Sequence, residues 1–296
     1  MSMQRLLVAA ALGIYGTVSM AQENPTMKVT DKYVVHRTEV PQLIVRSWER
    51  NGEFTSAWPG EKKEVPYDAA EIHLRRFAYP GIDIREIFLP TDTRTSNHQG
   101  YEDIVFYQLD GERVQFVEGA SRHTSPGDVA FHPSGAYHYT VQITGGTFVE
   151  FALQRPKIEG HAIWIPQFDV RLLDTAEWME NGKLVVAQTK ALAAAPAAAS
   201  KYKVRAFYVP GYRFLEYHLP KGAKLPERAS VTDDLFYVVQ GALKVSVGGT
   251  KAEVVSGDTM RAPAGKPYSF EASEGTVLTM IHIPPVTAIA EKKGPG

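Results

Sequence analysis

The 296-residue sequence contains no cysteine. Disulfide bonds, a cysteine nucleophile, thiolate zinc sites and iron–sulfur clusters are therefore excluded. An excess of either charge is also missing, because 32 lysines and arginines are balanced by 33 aspartates and glutamates. This balance gives no general electrostatic reason to bind nucleic acid or an anionic membrane. Nucleic acid is therefore not an expected partner.

The composition is that of a folded, turn-rich protein. Hydrophobic residues make up 44% of the chain and charged residues 22%, which is enough apolar surface for full cores. The 24 glycines and 19 prolines favour a β protein over a helical bundle. At roughly 100–200 residues per domain, the length predicts two domains.

The N-terminus has the layout of a secretory signal peptide over residues 1–21. Arg5 is its only charge, and a mostly apolar stretch follows over Leu6–Met20. Small residues at Ser19 and Ala21 then form a cleavage pattern. The apolar stretch is short for a membrane span of about 20 residues, although an uncleaved anchor is the alternative. We expect cleavage after Ala21, a periplasmic or secreted protein, and no membrane span in the mature chain.

An internal repeat covers most of the remaining chain. Residues 72–138 align with residues 202–268 at a constant offset of 130, without a gap. The identities include turn residues, among them Gly127-Asp128, which recurs as Gly257-Asp258. One register held across the turns indicates a duplicated domain.

Two charged positions also recur in both repeats. Arg75 is repeated as Arg205, and Glu86 is repeated as Glu216. Because both copies keep the pair, packing or a buried ion pair is the expected use of these residues.

Each repeat is predicted to form short strands, rich in β-branched and aromatic residues, that are separated by turns. The pattern predicts an all-β protein built as a sandwich or a barrel in each repeat, with Asp174–Met179 as a candidate helical turn. The predicted strands are Ile82–Leu89, Ile104–Leu109, Val114–Glu118, Asp128–Phe131, Thr147–Leu153, Tyr212–Leu219, Leu235–Val239, Leu243–Val247 and Val277–Ile283. The expected divisions are the signal peptide at 1–21, an N-terminal barrel with preceding strands at 22–160, a connecting segment with an Ala/Pro linker at 161–200, and a C-terminal barrel at 201–296.

Residues 127–138 carry a family resemblance. From Gly127 through Pro133 and Gly135 to His138, the spacing is G-x5-P-x-G-x2-H. This resembles the complete second motif of the cupin superfamily. Residues 257–268 repeat the motif with Tyr268 in place of the histidine. The resemblance implies two cupin-type jelly-roll barrels, with a ligand site at the mouth of a barrel.

The first cupin motif, H-x-H-x3–4-E-x6-G, matches less well. Counting back from Gly111 places His98 on the first histidine, Gly100 on the second and Ile104 on the glutamate. His98 and His138 are therefore the two metal ligands that the resemblance implies.

The third ligand is predicted to be a carboxylate next to the glutamate position. A β-bulge would turn Asp103 inward, or a loop would present Glu102. Two histidines and one carboxylate suit a divalent transition metal such as Fe, Mn, Zn or Ni. Asp103 recurs as Asp233, so a turn role shared by both barrels is the alternative.

The second repeat lacks this set of ligands. Arg228 stands at the position of His98, Tyr268 at that of His138, and Asp234 in the acidic position. We therefore expect a metal only in the N-terminal barrel.

The resemblance implies a metal-dependent enzyme that acts on a small organic molecule, of the dioxygenase, decarboxylase, isomerase or lyase type. Glu102 and His132 are the candidate catalytic acid–base groups. The alternative is a non-catalytic protein that binds a small ligand or serves as a scaffold. Because two barrels can pair within one chain, we expect a monomer or a homodimer.

Overall fold

The computed structural model describes residues 29–100, 102–154, 175–180, 183–188, 202–209 and 212–283. Within these ranges the regular structure is β-strand, apart from a short 3-10 helix at Arg37–Glu39. The same ranges contain no helix with the length and apolar character needed to span a membrane. The all-β prediction is confirmed.

The first barrel consists of two antiparallel sheets packed face to face. The strands of this half of the chain are β1 (Val34–Val35), β2 (Leu43–Arg50), β3 (Glu53–Ala57), β4 (Ala70–Tyr79), β5 (Ile82–Leu89), β6 (His98–Gln99), β7 (Glu102–Gln108), β8 (Arg113–Val117), β9 (Ala120–Thr124), β10 (Val129–His132), β11 (Tyr137–Gln142) and β12 (Gly146–Gln154). A seven-stranded sheet has the order β10-β7-β12-β5-β4-β2-β3, and a four-stranded sheet has the order β6-β11-β8-β9.

The second barrel repeats this arrangement. Its strands are β13 (Thr175–Glu180), β14 (Lys183–Gln188), β15 (Lys203–Val209), β16 (Tyr212–Leu219), β17 (Lys224–Ala229), β18 (Asp233–Gln240), β19 (Ala242–Val247), β20 (Thr250–Val255), β21 (Thr259–Ala262), β22 (Pro267–Ala272) and β23 (Thr276–Ile283). The larger sheet has the order β1-β21-β18-β23-β16-β15-β13-β14, and the smaller has the order β17-β22-β19-β20.

Equivalent turns in the two barrels, 130 residues apart, contain the same backbone hydrogen bond. The Gly127 amide donates to the Gln108 carbonyl at 2.8 Å, and the Gly257 amide donates to the Val238 carbonyl at the same distance. Both glycines have positive φ, 86° and 88°, which a residue with a side chain rarely adopts. The internal duplication is therefore present in the fold.

Two segments differ from the sequence-based divisions. The predicted connecting segment, 161–200, contains the hairpin of β13 and β14, and β13 pairs with β15 of the second barrel. Thr175–Glu180 is thus a strand where a helical turn was expected. Pairing with β14 and β15 satisfies its backbone hydrogen bonds on both sides, whereas so short a segment is not stable as an isolated helix. In addition, β1 crosses over to pair with β21 of the second barrel. The Ala/Pro run at 191–200 lies outside the described residues.

The two larger sheets pack against each other through a shared apolar core. From the first barrel this core contains Phe77, Val105 and Phe151, and from the second it contains Phe214 and Ile281. All five side chains are almost completely buried, so the barrels form one continuous core across their interface.

The recurring charged residues lie at this interface. Arg75 donates to Glu86 at 2.9 Å, and Arg205 forms the equivalent pair with Glu216. Glu86 also accepts a 2.9 Å hydrogen bond from the Tyr237 hydroxyl of the other barrel. The predicted buried ion pairs are confirmed.

The interiors of the two barrels differ. The second encloses a large apolar cluster that includes Leu243, Val245 and Met280. The cluster inside the first is small and contains Leu89, Ile104, Phe106, Ala130, Phe148 and Ala152. A further small cluster contains Val117 and Ala136. Many other interior side chains of the first barrel are polar or charged, among them Arg113, Gln115 and His138, and they form the candidate site.

Candidate functional site

Three histidines meet inside the first barrel. His98 on β6 pairs directly with His138 on β11, and the two ring centres are 4.4 Å apart. His132 reaches the same place from β10 in the opposite sheet, with its ring centre 4.6 Å from that of His138. The predicted pairing of His98 with His138 is therefore present, and the second motif also contributes His132.

Backbone carbonyls fix the tautomers of His98 and His138. His98 Nδ1 lies 2.9 Å from the Ser96 carbonyl oxygen, and His138 Nδ1 lies 3.0 Å from the Ala136 carbonyl oxygen. A carbonyl only accepts hydrogen bonds, so each Nδ1 carries the proton. Each Nε2 consequently presents a lone pair, which is the state that a metal ligand requires.

Burial favours the neutral form of His132 and His138. It lowers the pKa of His138 to about 4, with a further contribution from the charge of His98. Burial also lowers the pKa of His132 well below its usual value, assisted by His138, Arg113 and His98. His132 packs on Phe106 at 4.3 Å, and neither ring nitrogen has a hydrogen-bond partner.

Gly100 lies where the family pattern has its second histidine. A Cβ atom at this position would lie 3.4 Å from Cε1 of His138. The Gly100 carbonyl accepts a 2.7 Å hydrogen bond from the Gly135 amide, which joins the two motif loops. The missing ligand position is therefore directly beside the histidine pair.

In this structure the carboxylate of Asp103, a predicted metal ligand, contacts other groups and does not join the histidines. One carboxylate oxygen accepts a 2.8 Å bond from the Ser134 amide, and the other accepts a 2.8 Å bond from the Tyr212 hydroxyl of the second barrel. Asp233 accepts from the Ala264 amide at the same distance. The alternative, a turn role shared by both barrels, is the one observed.

Glu102 shares the inner face of β7 with Ile104, because side chains alternate along a strand. Its carboxylate accepts a 2.7 Å bond from Arg85, whose guanidinium also lies 3.3 Å from Asp83 and 3.5 Å from Glu150. Glu102 is thus held in an ion-pair network and not at the histidines. Across the described ranges, no three His, Cys, Asp or Glu side chains converge on one metal position.

The equivalent place in the second barrel is closed by hydrogen bonds. Arg228 pairs with Tyr268, and its guanidinium donates to that hydroxyl at 2.9 Å. The Tyr268 hydroxyl donates to Asp234 at 2.8 Å, and Asp234 also binds His282 Nδ1 at 2.6 Å. These hydrogen bonds engage the side chains of Arg228 and Tyr268, which stand at the positions of His98 and His138 in the first barrel.

The comparisons agree with this architecture. A family model described as a cupin domain matches residues 215–284, which lie in the second barrel. A search of curated proteins gave no match. Among solved structures, AerE from Microcystis aeruginosa superposes with a TM-score of 0.58 and 13% identity, over 72% of this chain and 93% of that chain. The fold is that of a two-barrel cupin.

A dioxygenase is also among the similar solved structures. Salicylate 1,2-dioxygenase from Pseudoaminobacter salicylatoxidans gives a TM-score of 0.51 at 16% identity, over 71% of this chain and 72% of that chain. A complex of that enzyme with gentisate superposes with the same score and identity, over 71% of each chain. At such identity the likeness describes the fold alone.

Several interior residues of the first barrel were not identified as site residues from the sequence. They are Arg85 and Glu150 in the ion-pair network, and Arg113, Gln115 and Gln142 in the smaller sheet. Arg113, Gln115 and Gln142 are all at most 1% exposed. The signal was available in the repeat, because at the offset of 130 these three positions hold Leu243, Val245 and Ala272.

Proposed function

We propose that this protein is a metal-dependent enzyme acting on a small organic molecule, with its active site in the first barrel. One observation carries the proposal: His98 and His138 each use Nδ1 on a backbone carbonyl, and their rings lie side by side with centres 4.4 Å apart, whereas the duplicate barrel has Arg228 and Tyr268 at these positions. The cupin fold supports this function, since the salicylate 1,2-dioxygenase neighbours have it too.

The residues present fit an all-imidazole set better than the predicted set with a carboxylate. His98 and His138 would hold the metal through Nε2, and neutral imidazole suits Fe, Mn, Zn or Ni. His132 would be the third ligand after its ring turns toward the pair, because both of its nitrogens lack partners. A divalent metal there supplies a Lewis acid that polarises a bound oxygen atom.

The other interior groups would orient the substrate and move its protons. Glu102 is partly exposed and is held by Arg85 at 2.7 Å, which positions its carboxylate to accept a proton. Phe106 and Phe148 provide apolar walls with ring centres 5.9 Å apart. Excluding water in this way strengthens electrostatic interactions at the reacting atoms.

A non-catalytic ligand-binding protein is the second candidate. It is favoured by one specific observation, namely that Glu102 and Asp103 are both engaged by other groups and supply no third metal ligand. In that case the polar interior would bind a small molecule without transforming it.

Elemental analysis of the full-length protein separates these candidates. We expect about one divalent metal per chain in the wild type and in Tyr268→Phe, and almost none in His138→Ala. His138 makes one hydrogen bond within the fold, from Nδ1 to the Ala136 carbonyl, so circular dichroism should show that His138→Ala remains folded. Equal metal loss in His138→Ala and Tyr268→Phe would contradict the assignment to the first barrel. Sub-stoichiometric metal in the wild type after incubation with Fe, Mn, Zn or Ni would favour the binding protein.

We also propose that the protein is exported and acts as a monomer or a homodimer. The sequence of residues 1–21 supports export, although these residues lie outside the described ranges. The pairing of two barrels within one chain supports the monomer, because each large sheet already has a partner.

A further inference from the structure

We propose that the first barrel binds a small organic carboxylate, which pairs with the guanidinium of Arg113. Oxygen atoms of Gln108, Gln115 and Gln142 would accept hydrogen bonds from hydroxyl or amide groups of the same molecule. This inference names the class of ligand for the proposed active site. It rests on the proposed function only because both place the ligand in the first barrel.

Arg113 is a buried cation without a hydrogen-bonded counter-ion. It extends from β8 into the barrel, is 1% exposed, and has no hydrogen-bond partner at Nε or Nη2. Phe148 and Phe106 flank its guanidinium, with ring centres 3.7 and 4.9 Å from Cζ. Burial lowers the pKa of Arg113 to about 9, against the opposing effect of Glu150. Such a group is costly for folding unless an anion binds it.

The carboxylates already inside the barrel do not form hydrogen bonds with Arg113. Glu150 acts on Arg113 through its charge, but its carboxylate lies 3.5 Å from Arg85, and Glu102 accepts a 2.7 Å bond from Arg85. Arg113 forms no ion pair with either of them among the described residues. A bound carboxylate would supply hydrogen-bond acceptors for the N–H groups of Arg113, and its two oxygens match the planar guanidinium.

Three glutamine oxygens around Arg113 also lack partners. Gln142 pairs with Arg113 in the sheet, and its amide nitrogen donates to the Glu112 carbonyl at 3.2 Å and also to the Thr144 carbonyl. Gln108 donates to the Asp110 carbonyl at 2.6 Å. These bonds fix the orientation of the Gln108 and Gln142 side-chain amides. The Oε1 atoms of both residues, and that of Gln115, have no hydrogen-bond partner among the described residues. A ligand that also donates hydrogen bonds would satisfy them.

The duplicate barrel shows that the fold does not need these groups. At the positions of Arg113, Gln115, Gln142 and Gln108 it has Leu243, Val245, Ala272 and Val238, all buried in its apolar cluster. The same strands in the same register therefore fold around hydrocarbon. The unpaired atoms of this polar set, which are Nε and Nη2 of Arg113 and the three glutamine oxygens, cost stability without a return within the described part of the fold, and this points to a ligand.

The test uses the full-length protein with benzoate, whose ring suits the two phenylalanines, and with acetate and the neutral benzamide. Calorimetry should show that the wild type binds benzoate about tenfold or more tightly than benzamide. Arg113→Leu, which copies the second barrel, should lose this preference and unfold at a higher temperature than the wild type. Arg113→Lys should bind benzoate with intermediate affinity, and Arg122→Leu on the exposed face of β9 should bind as the wild type does.

The proposal is overturned if neither benzoate nor acetate binds to the wild type, or if Arg113→Leu binds benzoate unchanged. It is also overturned if Arg113→Leu unfolds at a lower temperature and the wild type does not distinguish benzoate from benzamide, since the role is then structural. Metal content measured on the same samples separates the two proposals. Benzoate binding through Arg113 in a protein without metal would contradict only the metal site, and metal without carboxylate binding would contradict only this inference.

Discussion

His138 and Tyr268 occupy the same position in the two barrels and use their polar atoms in opposite ways. Tyr268 donates to Asp234 and accepts from Arg228, so its hydroxyl is fully engaged. His138 uses only Nδ1 within the fold and leaves Nε2 toward His98 and His132. One barrel is thus closed by its own hydrogen bonds, and the other retains groups that can bind a ligand.

Gly100→His should strengthen metal binding. The substitution restores the second histidine of the first cupin motif beside His138, where a Cβ atom meets only Cε1 of that ring at 3.4 Å. A further imidazole ligand should raise the affinity for Zn or Mn about tenfold or more, as measured by competition with a chelator. Gly100→Ala is the matched control and should bind metal as the wild type does. Equal affinities for Gly100→His and Gly100→Ala would show that this position does not reach the metal.

Asp103→Ala should lower stability and leave the metal content unchanged. Its carboxylate holds the Ser134 amide and the Tyr212 hydroxyl, both buried. Loss of these bonds should lower the free energy of unfolding by about 1–3 kcal/mol, as measured by urea denaturation. Asp233→Ala in the second barrel is the control for the shared turn, since Asp233 binds the Ala264 amide. Loss of metal in Asp103→Ala alone would restore Asp103 as a ligand.

Acid should weaken the interface between the barrels through Glu86. Burial opposes ionisation of this carboxylate, but hydrogen bonds from Arg37 and Tyr237 outweigh burial, and its pKa is lowered. A carboxylate with a lowered folded pKa stabilises the protein above its unfolded pKa, and this stabilisation is lost as the pH falls through the folded value. The free energy of unfolding should therefore decrease as the pH falls below about 4.5.

Tyr237→Phe tests this assignment. It removes the 2.9 Å hydrogen bond to Glu86, so the folded pKa of Glu86 should rise toward its unfolded value and the acid-induced loss of stability should be smaller than in the wild type. At neutral pH we expect a loss of about 1–3 kcal/mol. Tyr137→Phe, at an exposed position, should follow the wild-type profile. The role of Glu86 would be contradicted if the free energy of unfolding of Tyr237→Phe and of the wild type changed with pH in parallel across the acid range.

N-terminal sequencing of the exported protein should give Gln22 as the first residue. The small residues at Ser19 and Ala21 determine this expectation, because signal peptidase sites require small side chains at these two places. A start at Met1, or beyond about residue 30, would contradict the proposed signal peptide.

The duplication and the predicted strands follow from the sequence by itself. Gly127 and Gly257 occupy turns that need positive φ, and turn chemistry of this kind is encoded locally. The predicted Tyr212–Leu219 is a strand with those bounds, whereas Thr175–Glu180 is a strand where a helical turn was expected. His98 and His138 were placed together through the resemblance to the cupin motifs, by counting back from Gly111 and by the match of residues 127–138.

The partners of the polar side chains were decided only by the tertiary structure. Asp103 is bound by Tyr212, which lies 109 residues further along the chain in the other barrel, and no local pattern predicts that contact. Glu102 is bound by Arg85 from a non-adjacent strand, which its position on the inner face of β7 does not reveal. Arg113 became informative only when its unpaired nitrogens were seen inside the barrel. Turn and strand signals act between neighbours in sequence, whereas the state of a buried charge depends on every group that the fold brings around it.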